Sequence, residues 1–167
     1  MDSIIRPWQM EDAPRLARII DNSNILSNLR DGIPHPYTKA DAEDYIRAMQ
    51  RQGDAVYAFA VLADRQVAGS ISVTRQANIH RRTAELGYYI AQSHWGQGLA
   101  TRAVGEACRY IFSQTDIIRI FAEPFAYNTA SCRVLEKNGF VCEGVLRKNA
   151  VKTGRVLDMR MYALIKE

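Results

Sequence analysis

The chain predicts a single mixed α/β (α+β) domain built on a mostly antiparallel sheet. Three observations predict it. Apolar strand-type segments follow one another from Ala55 to Leu62, Val67 to Val73 and Thr83 to Ile90, joined by short polar turns such as Ala63-Asp64-Arg65-Gln66, which is the pattern of a meander. Thr83 to Ile90 then runs through a Gly-rich turn into a helical stretch and on to Ile117-Ile118-Arg119-Ile120-Phe121. Strand, helix and strand at that spacing imply one parallel pair with a right-handed crossover. Phe140 to Leu146 and Val156 to Leu164 close the chain as a hairpin. At 167 residues and 47% hydrophobic the chain has enough material for one substantial core, and no linker, repeat or low-complexity tract divides it.

The elements follow in order. Ile4 to Trp8 is the opening strand. Glu11-Asp12-Ala13-Pro14 starts a helix, since acidic residues and proline both suit a first turn. Leu16, Ile19 and Ile20 carry its apolar period, and Asn22-Ser23-Asn24 ends it. The Gly- and Pro-rich stretch from Asn28 to Tyr37 is a loop. Thr38 and Asp41 match a capping box, and the helix they open buries Ala42, Tyr45, Ile46 and Met49. After the meander, Val104, Ala107, Cys108 and Ile111 make the apolar face of the long helix, so Cys108 is a core residue. Asn128 caps the last helix, whose core face is Ala130, Val134 and Leu135, and Asn138-Gly139 ends it.

Composition excludes several function classes. No apolar run is long enough to cross a bilayer. Met1-Asp2-Ser3-Ile4-Ile5-Arg6 lacks the basic and apolar regions of a secretory signal. Cys108, Cys132 and Cys142 have no metal-ligand spacing and read as free thiols. Together these favour the cytoplasm and no metal. The net charge of +4 is mild; it attracts an anionic ligand but carries no stripe of basic and stacking residues, so neither nucleic acid nor membrane is an expected partner. The densest basic patch, Arg75 with His80, Arg81 and Arg82, reads as a solvated loop.

The motif with chemistry in it is His94-Trp95-Gly96-Gln97-Gly98-Leu99-Ala100-Thr101. A strand running through such a turn into a helix leaves unpaired N–H groups at the positive end of a helix dipole, which is an anion site. The turn lacks the lysine of a phosphate-binding loop of the Gly-x-x-x-x-Gly-Lys type, and Thr101 stands where a dinucleotide fingerprint needs its third glycine. By itself the Gly-x-Gly leaves two readings open: a phosphate cradle, or glycines used only for turning.

Two further motifs follow it in order: Asn128-x-x-Ser131-x-x-Val134-Leu135-Glu136-Lys137-Asn138-Gly139-Phe140, and Glu143-Gly144-x-Leu146-Arg147 before Gly154 and Asp158. With these in place nearly the whole chain resembles the GNAT superfamily of acetyl-CoA-dependent N-acetyltransferases, and within it the branch of ribosomal-protein-alanine N-acetyltransferases. The resemblance implies a mostly antiparallel central sheet with helices on both faces and a splayed parallel strand pair that holds the cofactor. It implies acetyl-CoA as co-substrate and a primary amine as acceptor, attacking directly without a covalent acetyl-enzyme. The acceptor is the N-terminal α-amine of a protein or a small amine such as an amino acid, polyamine or antibiotic. A non-catalytic acyl-CoA-binding module is the alternative from another class.

The resemblance also assigns residues. Trp95, Gly96, Gln97, Gly98, Leu99, Ala100 and Thr101 form the cofactor turn, with N–H groups from Gln97 to Thr101 around the pyrophosphate. Main-chain groups near Tyr88 and Ile90 pair with the pantetheine arm as a β-strand would, and an N–H near Ile90 meets the acyl carbonyl. Asn128 joins them. Glu85 is the proton acceptor, against the plain reading of a salt-bridged surface carboxylate. Many members carry a tyrosine where this chain has Leu135, which donates nothing; Ser131 stands where the ribosomal-protein branch has a serine facing the leaving sulfur, against the plain reading of a helix serine bonded to its own backbone. Tyr127 is the reserve acid, and Cys132 is packing. The link between the first two helices forms one wall of the acceptor site, which nominates Asn28, Arg30, Asp31, His35 and Tyr37, against a rigid connector. An edge strand in the closing hairpin makes the chain a monomer or a homodimer.

Overall fold

A computed structural model describes residues 2–167. Its seven strands are β1 (Ile5–Pro7), β2 (Val56–Ala63), β3 (Gln66–Arg75), β4 (Thr83–Ile90), β5 (Arg119–Ala122), β6 (Val141–Lys152) and β7 (Arg155–Ile165), in sheet order β1-β2-β3-β4-β5-β7-β6. Every neighbouring pair is antiparallel except β4 and β5. The helices are α1 (Ala13–Ile20), α2 (Ser23–Leu26), α3 (Lys39–Met49), α4 (Leu99–Gln114) and α5 (Thr129–Lys137). Mixed α/β topology with a parallel crossover pair is thus what the strand and helix spacing predicted.

The two faces of the sheet bury separate cores. Trp8, Leu16, Ala42, Ile46, Ala60 and Val67 join α1 and α3 to one face. On the other, Val104, Ala107, Cys108 and Ile111 of α4 and Cys132 and Leu135 of α5 pack on Ile71, Val73, Leu86 and Ile120. Burial pushes the Cys108 thiol up to about 12, so it stays a thiol and packs as a small apolar group. The Thr38–Asp41 capping box closes in both directions: Asp41 N–H donates to Thr38 Oγ1 at 3.2 Å and Thr38 N–H to Asp41 Oδ2 at 2.8 Å.

Three features differ from the sequence expectation. Asn22 does not simply end α1; its side chain accepts from Asn24 N–H at 2.8 Å and caps the added turn α2. The closing hairpin is longer than expected, because Thr153 and Gly154 both take positive φ and reverse the chain in two residues. Arg75 is not a solvated loop residue: it ends β3 and donates to Asp54 O, Arg81 O and Asp116 Oδ1, while Arg82 Nε donates to Asp116 O. Those bonds tie the β3–β4 connection to the start of β5. No helix among the described residues is long and apolar enough to cross a membrane.

Candidate active site

The β4–α4 turn is shaped by two left-handed glycines. Gly96 has φ 75° and Gly98, the N-cap of α4, has φ 78°. Side chains rarely adopt that conformation. Among the described residues nothing lies within 4 Å of where a Cβ would stand on either glycine, so both face open space. No side chain caps the helix. The first intrahelical bond of the ladder runs from Arg102 N–H to Gly98 O at 3.1 Å, which leaves the N–H groups of Leu99, Ala100 and Thr101 without a carbonyl of their own helix. Trp95 braces the turn from outside: its Nε1 donates to Ile90 O at 2.8 Å. Three free N–H groups at the end of a four-turn helix, with no Cβ in front of them, suit a diphosphate.

Beside the turn the sheet opens. β4 and β5 pair only from Thr83↔Arg119 to Glu85↔Phe121, although β4 continues to Ile90. Ala91 N–H bonds Ala68 O and Gln76 N–H bonds Thr83 O, both toward β3. By alternation the main-chain groups of Tyr88 and Ile90 turn the other way, into the gap. With Ile90 O taken by Trp95, Tyr88 N–H and C=O and Ile90 N–H remain for an amide-rich ligand.

Two hydroxyls cross the gap. Tyr88 Oη lies 2.7 Å from Ser131 Oγ on the first turn of α5. Asn128 Oδ1 accepts from Ser131 N–H at 3.3 Å, which fixes that turn. Burial pushes the Tyr88 phenol up to about 12 against the pull of its bond to Ser131, so it keeps its proton at neutral pH.

The pocket that adjoins this pair holds about 160 Å³ and is walled by Asn28, Arg30, Glu85, Glu123, Tyr88 and Ser131 among others. Arg30 grips Glu85 with both arms of its fork, Nη1 to Oε1 at 2.6 Å and Nη2 to Oε2 at 3.0 Å. The same Nη2 reaches Glu123 Oε2 at 3.2 Å. Burial first, and the charge of Glu85 second, hold the Glu123 carboxyl above its ordinary range, while Arg30 pulls it back.

The sequence profile of the acetyltransferase (GNAT) domain matches residues 3–141. The chain belongs to the GNAT acetyltransferase family. Among curated relatives of this GNAT domain, the uncharacterized N-acetyltransferase YoaA of Bacillus subtilis is 38% identical over 102 residues, 61% of the chain; the match spans only 57% of YoaA. The probable N-acetyltransferase YjcK of the same organism is 30% identical over 174 residues, 96% of the chain and 92% of YjcK. Among solved structures, the ribosomal-protein-S5-alanine acetyltransferase of Vibrio fischeri superposes with a TM-score of 0.88 at 20% identity, covering all of this chain and 96% of that one. At that identity the likeness is one of fold.

Within this GNAT fold the residues named from sequence fall into two groups. One group is linked bond by bond: Trp95 Nε1 ties the turn to Ile90 O at the gap edge, and Tyr88 on that edge meets Ser131, whose turn Asn128 caps. Glu85, Arg30 and Asn28 share the pocket beside Ser131. Asp31 does not line it; its exposed carboxylate is paired with Lys152 Nζ at 2.8 Å. His35 and Tyr37 lie apart: His35 Nδ1 sits 2.9 Å from Asp21 Oδ1, which also accepts Tyr37 N–H, and the Tyr37 ring packs on the α1–α3 core. Tyr127 Oη donates to Asn28 Oδ1 at 2.7 Å with its ring stacked on Phe125, so its hydroxyl holds the α2–α3 loop rather than Ser131.

Sequence reasoning passed over Glu123, Asn138 and the Tyr88 hydroxyl. An acid directly after the strand that pairs with β4, followed by Pro124, was the available sign for Glu123. Asn138 does more than end α5: Nδ2 donates to Thr101 O at 3.0 Å and Val134 O at 2.9 Å, fastening α5 to the first turn of α4.

Proposed function

We propose that this protein is an acetyl-CoA-dependent N-acetyltransferase whose acceptor is a primary amine, the N-terminal α-amine of a protein. The observation that carries the reading is the juxtaposition of the uncapped, glycine-fronted start of α4 with the gap that opens beyond Glu85↔Phe121. The free N–H groups of Leu99, Ala100 and Thr101 suit the diphosphate, and the edge at Tyr88 and Ile90 suits the amide-rich arm. When bound, acetyl-CoA supplies a thioester. The amine nitrogen forms a bond to the acyl carbon, the carbon–sulfur bond breaks, one proton leaves nitrogen and one is taken up by sulfur.

The chain's residues divide that work. Ile90 N–H faces the opening and can donate to the acyl oxygen as it gains charge. Ser131 Oγ, held by Tyr88, offers the leaving sulfur a hydrogen bond. Glu85 and Glu123 draw the acceptor as an ammonium and take its proton. An α-amine has a pKa of about 7.7–8.0 and a lysine amine about 10.4, so a pair of partly exposed carboxylates suits the former better. The same two acids also suit a small polyamine, which is the second reading.

Mass spectrometry tests this. The protein is incubated with acetyl-CoA and a panel of peptides with free α-amines, polyamines and amino acids, and free thiol is followed in parallel. Addition of one acetyl group to an α-amine with matching thiol release supports the proposal. Transfer to polyamines alone supports the second reading, and transfer to no primary amine defeats both.

A further inference from the structure

The acceptor side of the pocket already contains a cation. Arg30 comes from the loop between α2 and α3, and its guanidinium sits where two carboxylates converge, bidentate on Glu85 and touching Glu123. Both acids are largely covered, with 23% and 20% of their side chains exposed, whereas Arg30 is 59% exposed. The anions therefore belong to the rigid sheet and its margin, and the cation is the movable partner. The loop that carries it is tied at this edge by two side-chain hydrogen bonds, Tyr127 Oη to Asn28 Oδ1 and Lys152 Nζ to Asp31 Oδ1. Apart from Arg30, Glu85 and Glu123, Tyr88 is the only titratable group lining the pocket among the described residues, and it stays neutral.

We infer that Arg30 is an internal stand-in for the acceptor's ammonium group, and that it sets selectivity by making every incoming amine compete with a tethered guanidinium for Glu85 and Glu123. The inference rests on the acetyltransferase reading and deepens it. A tethered, bidentate guanidinium competes at high effective concentration and with two charge-assisted bonds. A lone alkylammonium has one charge and three donors, so it does not displace the fork. An amine carried on a peptide brings further contacts of its own, which offset the loss of the side-chain bonds made by Arg30. The device thus selects amines attached to larger molecules over small monoamines. It also keeps the two acids from repelling each other while no acceptor is bound.

The test compares wild type with Arg30→Gln, which removes the charge but keeps a polar chain, and Arg30→Lys, which keeps the charge but loses the fork. With n-butylamine as acceptor, Arg30→Gln is expected to lower KM by about tenfold, the scale of losing one half-exposed charge-assisted competitor; KM for an alanine-terminated peptide moves much less. Removing Arg30 takes away the charge that pulls the Glu123 carboxyl back toward its ordinary range, so the acid limb of kcat/KM moves to higher pH by about one unit. Arg30→Lys falls between. A second readout needs no turnover: the carbon-13 signal of the Glu123 carboxyl titrates higher in Arg30→Gln, and methylguanidinium chloride shifts it back in the variant while leaving wild type unmoved. Unchanged carboxyl titrations, or a KM for n-butylamine that rises, overturn the inference; the latter makes Arg30 a recognition contact. If wild type transfers acetyl to no amine, the acetyltransferase reading fails, and the carboxyl titrations with methylguanidinium still decide whether Arg30 fills a cation site.

Discussion

Replacing Gly98 with alanine separates two jobs that one residue does in the β4–α4 turn. Its φ of 78° lies in the left-handed region, where an L side chain costs about 1–2 kcal/mol. That strain falls on the folded protein whether or not coenzyme A is bound, so on its own it lowers stability and leaves affinity unchanged. Affinity falls for a second reason. The new Cβ meets open space, so the protein itself does not resist it, but relief of the strain by rotating φ at the N-cap turns the first N–H groups of α4 aside. A loss of about tenfold in coenzyme A affinity, or about 1.4 kcal/mol, is expected.

Gly154 provides the control. It has φ 75° and equally open surroundings, but it lies in the β6–β7 turn and not in the β4–α4 turn. Gly154→Ala is expected to lose comparable stability in urea melts and to bind coenzyme A as wild type does by titration calorimetry. If Gly98→Ala loses stability but keeps its coenzyme A affinity, the turn is not a phosphate cradle and its glycines serve only to reverse the chain.

Other perturbations test the remaining parts. Glu85→Gln is expected to lower kcat on the order of a hundredfold with little change in coenzyme A affinity, measured by thiol release. Ser131→Ala and Tyr88→Phe are expected to slow turnover together, and the double variant no more than the worse single one, because the two hydroxyls form one chain; simple additivity refutes the coupling. Asn138→Ala removes two hydrogen bonds, one that joins the end of α5 to Thr101 O in the first turn of α4 and one to Val134 O within α5, and is expected to cost about 1–3 kcal/mol in urea melts. Asp12 is buried, which alone would raise its pKa, but the Arg6 fork and Gln9 N–H outweigh burial and hold it below the ordinary carboxylate range. Its contribution is therefore present above the unfolded value of about 3.9 and is lost as pH falls through the lower folded value. Asp12→Asn is expected to be clearly less stable than wild type at pH 7, and the gap to close in acid melts toward pH 3.

Periodicity and caps made most of the fold legible. The meander, the crossover helix and the Thr38 and Asn128 caps depend on residues a few positions apart, and local patterns report local structure. The added turn α2 escaped because Asn22 serves both as an end signal and as a start signal. The length of the closing hairpin escaped because Thr153-Gly154 is not one of the common two-residue turn pairs. Arg75 was read as loop because its partners, Asp54 and Asp116, are 21 and 41 residues away.

The site divides along the same line. The glycine turn before α4 is one continuous stretch, so its glycines could be read directly. The candidate reacting groups come together from four segments. Glu85 and Arg30 are 55 residues apart, and Arg30 and Glu123 are 93 apart. Tyr88 and Ser131 meet only because α5 packs across the mouth of the gap. Side chains on a strand and on a distant helix face each other by tertiary packing, and no spacing in the chain encodes that.

The most direct measurement is a crystal structure of the protein grown with coenzyme A. The expected result is a diphosphate within about 2.7–3.2 Å of the main-chain nitrogens between Gln97 and Thr101, with the arm lying along Tyr88 and Ile90 and the sulfur near Ser131. Coenzyme A seated away from the start of α4, or with its arm outside the β4–β5 gap, would contradict the central claim.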